Sequence, residues 1–235
     1  MNKVILSALA ISSIAFAGKN VAPVAVPPVS VPAVAPAAVS SNGVALKVGT
    51  LGVGVDVEHM FNQKFGMRFN VNGLNLTKTK TYDNIKYKAK LKLLSAGLLA
   101  DYHPWGSMFR VSGGVYYNGN KITGTAKPAG SVTYGGKTYA IGQIGKIDAK
   151  IDFKKVAPYL GIGWSSTESS GWHFTTDIGV MYVGKPKVNL KAHANNSALQ
   201  NDLDNHTASE EAKVYKDVKK YKWWPVVSIG IERKF

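Results

Sequence analysis

Cysteine is absent from the 235 residues of this chain. Disulfides, thiolate metal sites, cysteine nucleophiles and a lipid-bearing cysteine are thereby excluded. Long apolar runs are missing too: only Val4 to Phe16 approaches one, and it is shorter than the about 18 residues a spanning helix needs. Acidic residues are few, 14 Asp and Glu against 29 Lys and Arg, for a formal charge of +15. The five histidines (His59, His103, His173, His193 and His206) never fall at a metal-ligand spacing such as H-E-x-x-H, and G-x-S-x-G does not occur. No catalytic residue, metal or cofactor is expected, and the chain does not read as an enzyme.

What is present begins with an address. Met1 to Ala17 has a basic start at Lys3, a short apolar run and Ala15-Phe16-Ala17 as a small-x-small cleavage site, the pattern of a secretory signal peptide. Export argues against nucleic acid as a partner, despite the basic balance. Residues 18–42 hold five of the ten prolines, at 23, 27, 28, 32 and 36, spaced by Val and Ala. Proline cannot donate to a ladder, so this segment is expected to be an extended spacer. The folded domain is expected over residues 43–235.

That domain alternates with a period of two. Phe65, Met67, Phe69 and Val71 alternate with Gly66, Arg68, Asn70 and Asn72, and Phe174, Ile178, Val180 and Tyr182 with His173, Asp177, Gly179 and Met181. Such strands fit a half-buried soluble sheet or a barrel with its apolar face in lipid. The C-terminus decides between them. In Pro225-Val-Val-Ser-Ile-Gly-Ile-Glu-Arg-Lys-Phe235, Val227, Ile229, Ile231 and Phe235 share one face and the chain stops on the aromatic. The segment resembles the closing strand of Gram-negative outer-membrane barrels, which implies an assembly signal at Ile229, Ile231 and Phe235 read by the barrel-assembly machinery. It departs from that pattern at Arg233, where an apolar residue is usual.

Connection lengths agree with a barrel. Short turns at residues 59–64, 103–107 and 165–171 alternate with long connections at 78–84, 123–145 and about 191–220. Aromatics gather beside the short turns (Phe61, Phe65, Tyr102, Trp105, Phe109, Trp164, Trp172) and again far from them (Tyr82, Tyr117, Tyr182, Tyr221, Trp223, Trp224), as two bilayer interfaces would select. Seven spans are clear: 44–58, 65–77, 85–102, 108–122, 147–164, 172–190 and 222–235. An even count, with the short turns all on one side, requires a further strand rising before Leu51. The apolar phase switches across Gly49-Thr50, where the chain either turns or bulges. The expected fold is an all-β, transmembrane antiparallel barrel of about eight strands. Ser131 to Ala140 reads as a hairpin turning at Gly135-Gly136, and 197–220 as a short amphipathic helix in a long outer loop, with Ser197 and Gln200 at capping-box spacing.

Strand phase then places charge. Asp56, Arg68, Asp101, Arg110, Asp177 and Glu232 fall on the polar face near the short-turn end. A base facing lipid would cost about 2 to 4 kcal/mol at mid-depth, so these six are expected in the lumen, as a charged constriction or as an ion-pair plug. Toward the far end, Lys78, Lys80, Lys86, Lys88, Lys90 and Lys92 form a basic outer rim, with Lys137, Lys146, Lys150 and Lys154 at the same level. The rim is expected to attract lipopolysaccharide or anionic solutes, or to be a solvated strand face.

A closer resemblance covers most of the domain. Ala157-Pro-Tyr-Leu-Gly-Ile-Gly163, Gly184-Lys-Pro-Lys-Val188 and Tyr221-Lys-Trp-Trp-Pro225, with Gly49-Thr-Leu-Gly52 and Tyr102-His-Pro-Trp105 as looser matches, are similar to the carbapenem-associated outer-membrane protein family. That resemblance implies an eight-stranded barrel in the bacterial outer membrane linked to uptake of small solutes, with basic amino acids and carbapenems proposed for some members. A narrow channel is the corresponding expectation, with a non-conducting structural or surface-interaction barrel as its alternative and an outer-membrane enzyme as a third, more distant reading. The lysine-rich rim would repel cationic solutes.

Overall fold

The computed structural model describes residues 41–82, 85–168 and 170–235. The expected signal peptide and residues 18–40 of the proline-rich spacer lie outside them. The described chain forms β1 (Ser41–Gly49), β2 (Gly52–Met60), β3 (Phe65–Tyr82), β4 (Ile85–Tyr102), β5 (Phe109–Asn118), β6 (Lys121–Pro128), β7 (Val132–Tyr134), β8 (Lys137–Tyr139), β9 (Ile144–Asp152), β10 (Val156–Trp164), β11 (Gly171–Tyr182), β12 (Lys187–Ala194), helix α1 (Ser197–Val218) and β13 (Trp223–Lys234).

Eight strands close a ring, in the order β1-β2-β3-β4-β5-β10-β11-β13 and back to β1, every pair antiparallel. The extra strand before Leu51 is real: β1 and β2 pair from Ser41↔Met60 to Gly49↔Gly52 across a turn at Thr50-Leu51. Gly52 takes φ +104°, a conformation other residues rarely adopt, and this is why the chain can reverse there. The Thr50 hydroxyl donates to the Pro225 carbonyl (2.8 Å) and accepts from the Val227 N–H (3.1 Å), which pins the turn to β13. The ring seals where Phe235 and Asn42 exchange backbone hydrogen bonds of 2.9 and 3.1 Å.

Period-two patterning explains the wall. Val44, Leu46 and Val48 of β1, Val53, Val55 and Val57 of β2, and Val227, Ile229 and Ile231 of β13 are exposed, while the residues between them are turned inward. An apolar outer belt around a closed ring leaves no strand edge at mid-height, as lipid requires.

The far end differs from the sequence reading. The spans expected over 147–164 and 172–190 are each two collinear strands, β9 then β10 and β11 then β12, interrupted at 153–155 and 183–186. At those breaks Lys154 donates to Val183 and Val183 to Lys222, so the ladder changes partners. Likewise β5 and β6 run end to end along β4, pairing Ser95 with Asn118 and Lys92 with Lys121 around a bend at Gly119-Asn120. The connections expected over 78–84, 123–145 and 191–220 therefore begin or end inside strands. Strands β3, β4, β6, β9 and β12 continue the barrel as a five-stranded half-wall, while β1, β2 and β13 stop short.

The inner face of this half-wall is apolar across β6, β9 and β12 and carries α1 there. Ile151, Leu190, Val214 and Val218 form one cluster, and Tyr134, Tyr139, Ile144, Ala192 and Leu203 a second that includes the β7–β8 hairpin. The hairpin stands outside the ring, turning at Gly135-Gly136 as expected. The helix cap is Asn196, whose side chain accepts from the Ala198 N–H (3.0 Å), instead of a box closed by Ser197 and Gln200. Gln200 is engaged elsewhere: it accepts from the Ala194 N–H and donates to the Ala192 carbonyl, both at 2.9 Å, and Glu211 accepts from the Leu190 N–H at 2.7 Å. The helix thus occupies the backbone edge of β12 that would otherwise invite another strand.

Candidate functional site

Two surfaces concentrate charge, one inside the ring and one outside the half-wall. Inside, the six expected residues all point into the lumen and are buried. Arg68 on β3 joins three of them: its Nη1 lies 3.1 Å from both Asp56 and Asp177, and its Nε lies 3.0 Å from Asp101. Arg110 on β5 donates to Asp177 at 2.7 Å and to the Thr175 hydroxyl at 3.2 Å. Glu232 stands apart from these five, accepting from the Ser165 hydroxyl at 2.7 Å.

Three further charges complete the layer. Lys47 on β1 bonds Asp56 (2.6 Å) and Asp177, Glu58 on β2 lies 3.9 Å from Arg110, and Lys234 on β13 lies 3.6 Å from Glu58 and 4.0 Å from Glu232. Arg110 thereby stands between an Arg68-centred group and a Glu58–Glu232–Lys234 group. The full set has five carboxylates and four bases, none more than 4% exposed. Strand phase alone would have found Glu58, two residues from Asp56, and Lys47, between outward Leu46 and Val48. Ser112, Asn70, Asn72 and Ser228 bond into the same network, while Glu58 Oε1 and the Nε and Nη1 of Arg110 are buried in it without a hydrogen-bond partner.

Above the charges the lumen turns apolar. Leu51 from the β1–β2 turn, Tyr116, Tyr159, Met181 and Val226 pack across it, with the two tyrosine rings edge to face at 5.5 Å. Glycine makes room for them: a Cβ at Gly97 would strike the Tyr116 ring and one at Gly179 the Tyr159 hydroxyl. A cavity of about 10 Å³ remains beside Lys47, Tyr116 and Asp177, at the lower limit for one water. Trp224, expected in the outer aromatic belt, instead turns inward and packs on Phe153 at 5.6 Å.

Outside, the half-wall presents rows of lysine and threonine. Register aligns Asn75, Lys92, Lys121, Asp152 and Lys187 in one row, Thr77, Lys90, Thr123, Lys150 and Asn189 in the next, and Thr79, Lys88, Thr125, Asp148 and Lys191 in a third. Lys86, Lys127 and Lys146 continue the face. Lys78 and Lys80 do not belong to it: they pair with Ala89 and Tyr87 and point to the opposite side of the hairpin. Lys137 is also elsewhere, bonded with the Tyr139 hydroxyl to Asp202 (2.7 and 2.9 Å), and Lys154 packs against Gly184. Burial and the Asp202 bond push the Tyr139 hydroxyl up to about 12. Against the cost of burial, Lys146 and Thr125 hold the Asp148 carboxyl below its ordinary value.

No protein-family model matches the chain, and no curated protein matches it. Among solved structures, CarO2 of Acinetobacter baumannii is 26% identical and superposes with a TM-score of 0.57, covering 85% of this chain and 100% of its own. CarO of the same organism is 22% identical, with a TM-score of 0.55 over 85% of this chain and 98% of its own. The chain is an outer-membrane β-barrel similar to CarO.

Outer-membrane barrels keep their short turns periplasmic and their long connections outside, and by that rule the short turns and Phe235 belong to the periplasmic side and the half-wall to the outer one. Phe65 stacks on Tyr102 at 4.9 Å and Trp105, Phe109 and Trp164 form a chain of rings at the periplasmic rim, while Tyr182 and Trp223 meet at 4.9 Å on the outer one. Ile229, Ile231 and Phe235 line up on the lipid face of β13. Arg233, the residue that departs from the terminal pattern, lies over the Trp172 ring at 5.8 Å, so its charge sits at the rim on an aromatic platform. Deleting Phe235 removes both backbone bonds to Asn42 and the terminal ring. Assembled protein in outer-membrane fractions is expected to fall while export continues; unchanged levels would show that the terminal ring carries no signal.

Proposed function

We propose that this protein is a closed outer-membrane barrel that holds a folded surface module in place, instead of an open pore. The observation that carries this reading is the filled lumen, in which a nine-residue ionic layer and the Leu51–Tyr116–Tyr159 layer lie in series. A path for solutes would have to displace both. An eight-stranded ring is only wide enough for side chains to fill it, which supports the same reading. Export by the Sec route with cleavage after Ala17, and recognition of the Phe235 strand by the assembly machinery, belong to the proposal and rest on the sequence patterns at the two ends.

Single-channel recording of the refolded barrel in planar bilayers tests it. The wild type is expected to give no steady current steps. Reproducible steps from protein of verified purity would replace this reading with the narrow solute channel.

A further inference from the structure

The outer face of the half-wall is a surface of one chemistry and one position. Ten lysines from β4, β6, β9 and β12 share it, among the described residues, with two carboxylates, Asp148 and Asp152. Among the described residues, only Lys146 and Lys150 of the ten make a salt bridge, to Asp148 and Asp152 at 2.9 and 2.8 Å. The others are held apart by the sheet itself, about 7 Å along a strand and about 4.8 Å between strands, with threonine hydroxyls between them. Such spacing sets neighbouring ammonium groups within reach of one polyanionic partner, on stems anchored to a rigid sheet.

Position selects the partner. On β4, Lys92, Lys90, Lys88 and Lys86 follow Leu94 and Leu98 on the same face of the same strand, and both leucines are exposed in the apolar belt. The lysine face therefore starts where lipid ends and stands against the headgroup layer of the surrounding leaflet. Along β9 and β12 the opposite face is covered by α1 and the β7–β8 hairpin, so across those strands the basic side is the one left open to neighbours.

We propose that this face is a docking surface for the phosphate groups of lipopolysaccharide, with Lys88, Lys90, Lys121 and Lys191 at its centre. Lateral phosphates are met by an array of ammonium groups set by the sheet, and Thr77 and Thr123 supply neutral donors between them. The inference depends on the orientation of the barrel and not on whether its lumen conducts.

The refolded full-length barrel is titrated with purified lipopolysaccharide, before and after phosphatase treatment. Replacing Lys88, Lys90, Lys121 and Lys191 together by Gln is expected to weaken binding about tenfold or more at low ionic strength, with the difference shrinking as salt is added. Phosphatase treatment should weaken wild-type binding comparably, an arm that does not depend on any variant folding. Replacing Lys78 and Lys80 by Gln, on the other face, should change affinity by less than about twofold. Equal loss from the Lys78/Lys80 pair, no loss from the quadruple variant, or unaltered binding of the phosphatase-treated ligand would each overturn the proposal.

Discussion

Arg68→Ala is expected to destabilise the folded barrel by about 3 to 5 kcal/mol, the range for removing one partner from a buried ionic network. One guanidinium contacts Asp56, Asp101 and Asp177, all buried. After truncation Asp56 and Asp177 keep Lys47, and Asp177 keeps Arg110, but Asp101 is left with the Ser112 hydroxyl. The loss is therefore dominated by a carboxylate stranded in the wall. Urea unfolding of the protein in lipid vesicles, followed by tryptophan fluorescence, measures it. Arg68→Lys should recover part of the loss, because a point charge replaces the fork without its geometry. A change below about 1 kcal/mol for Arg68→Ala would mean that water already solvates these carboxylates, and the layer would then not be a dry plug.

The fold was legible wherever lipid imposes a pattern and illegible where it does not. Across the belt every outward residue must be apolar, so Val44 to Val57 and Phe65 to Val71 announce their phase, and the six lumen charges follow from it. Beyond the belt the half-wall faces polar surroundings outside and, along β9 and β12, a helix inside. Its outer rows of Lys and Thr alternate with Gly, Ala and Ile on β6 and β9, a pattern that reads equally well as loop. The faces of the lysines were hidden for a geometric reason. Tyr82 pairs with Ile85, so even positions of β3 oppose odd positions of β4. Lys78 and Lys80 share parity with Lys86 to Lys92 and yet occupy opposite faces. Lys47, by contrast, was legible, because Val44, Leu46 and Val48 set its inward phase whatever the chain does at Gly49-Thr50. Trp224 was assigned to a belt by composition when its phase, shared with Val226 and Ser228, places it inside. The edge caps from Gln200 and Glu211 carry no local signal, because they depend on how α1 docks.

Opening the lumen should require removing its apolar layer, and this gives the second large effect. Tyr116 and Tyr159 fill the barrel above the ionic residues, against Gly97, Gly161 and Gly179, and the small cavity beside Tyr116 already reaches Lys47 and Asp177. Changing both tyrosines to Ala removes two rings at a cost of about 3 kcal/mol or more each, by analogy with other large-to-small aromatic changes. The space they leave is polar on its periplasmic side, so water is expected to enter it. Planar-bilayer recordings should then pass from silence in the wild type to small, frequent current steps in the Tyr116→Ala/Tyr159→Ala variant. Arg68→Ala alone should remain silent, because the tyrosine layer is still in place above it; combined with the two tyrosine changes it should enlarge the steps, since both layers in series are then breached. Silence from the triple variant, folded as judged by its resistance to detergent before boiling, would place the seal above the ring, at α1 and the inner face of the half-wall.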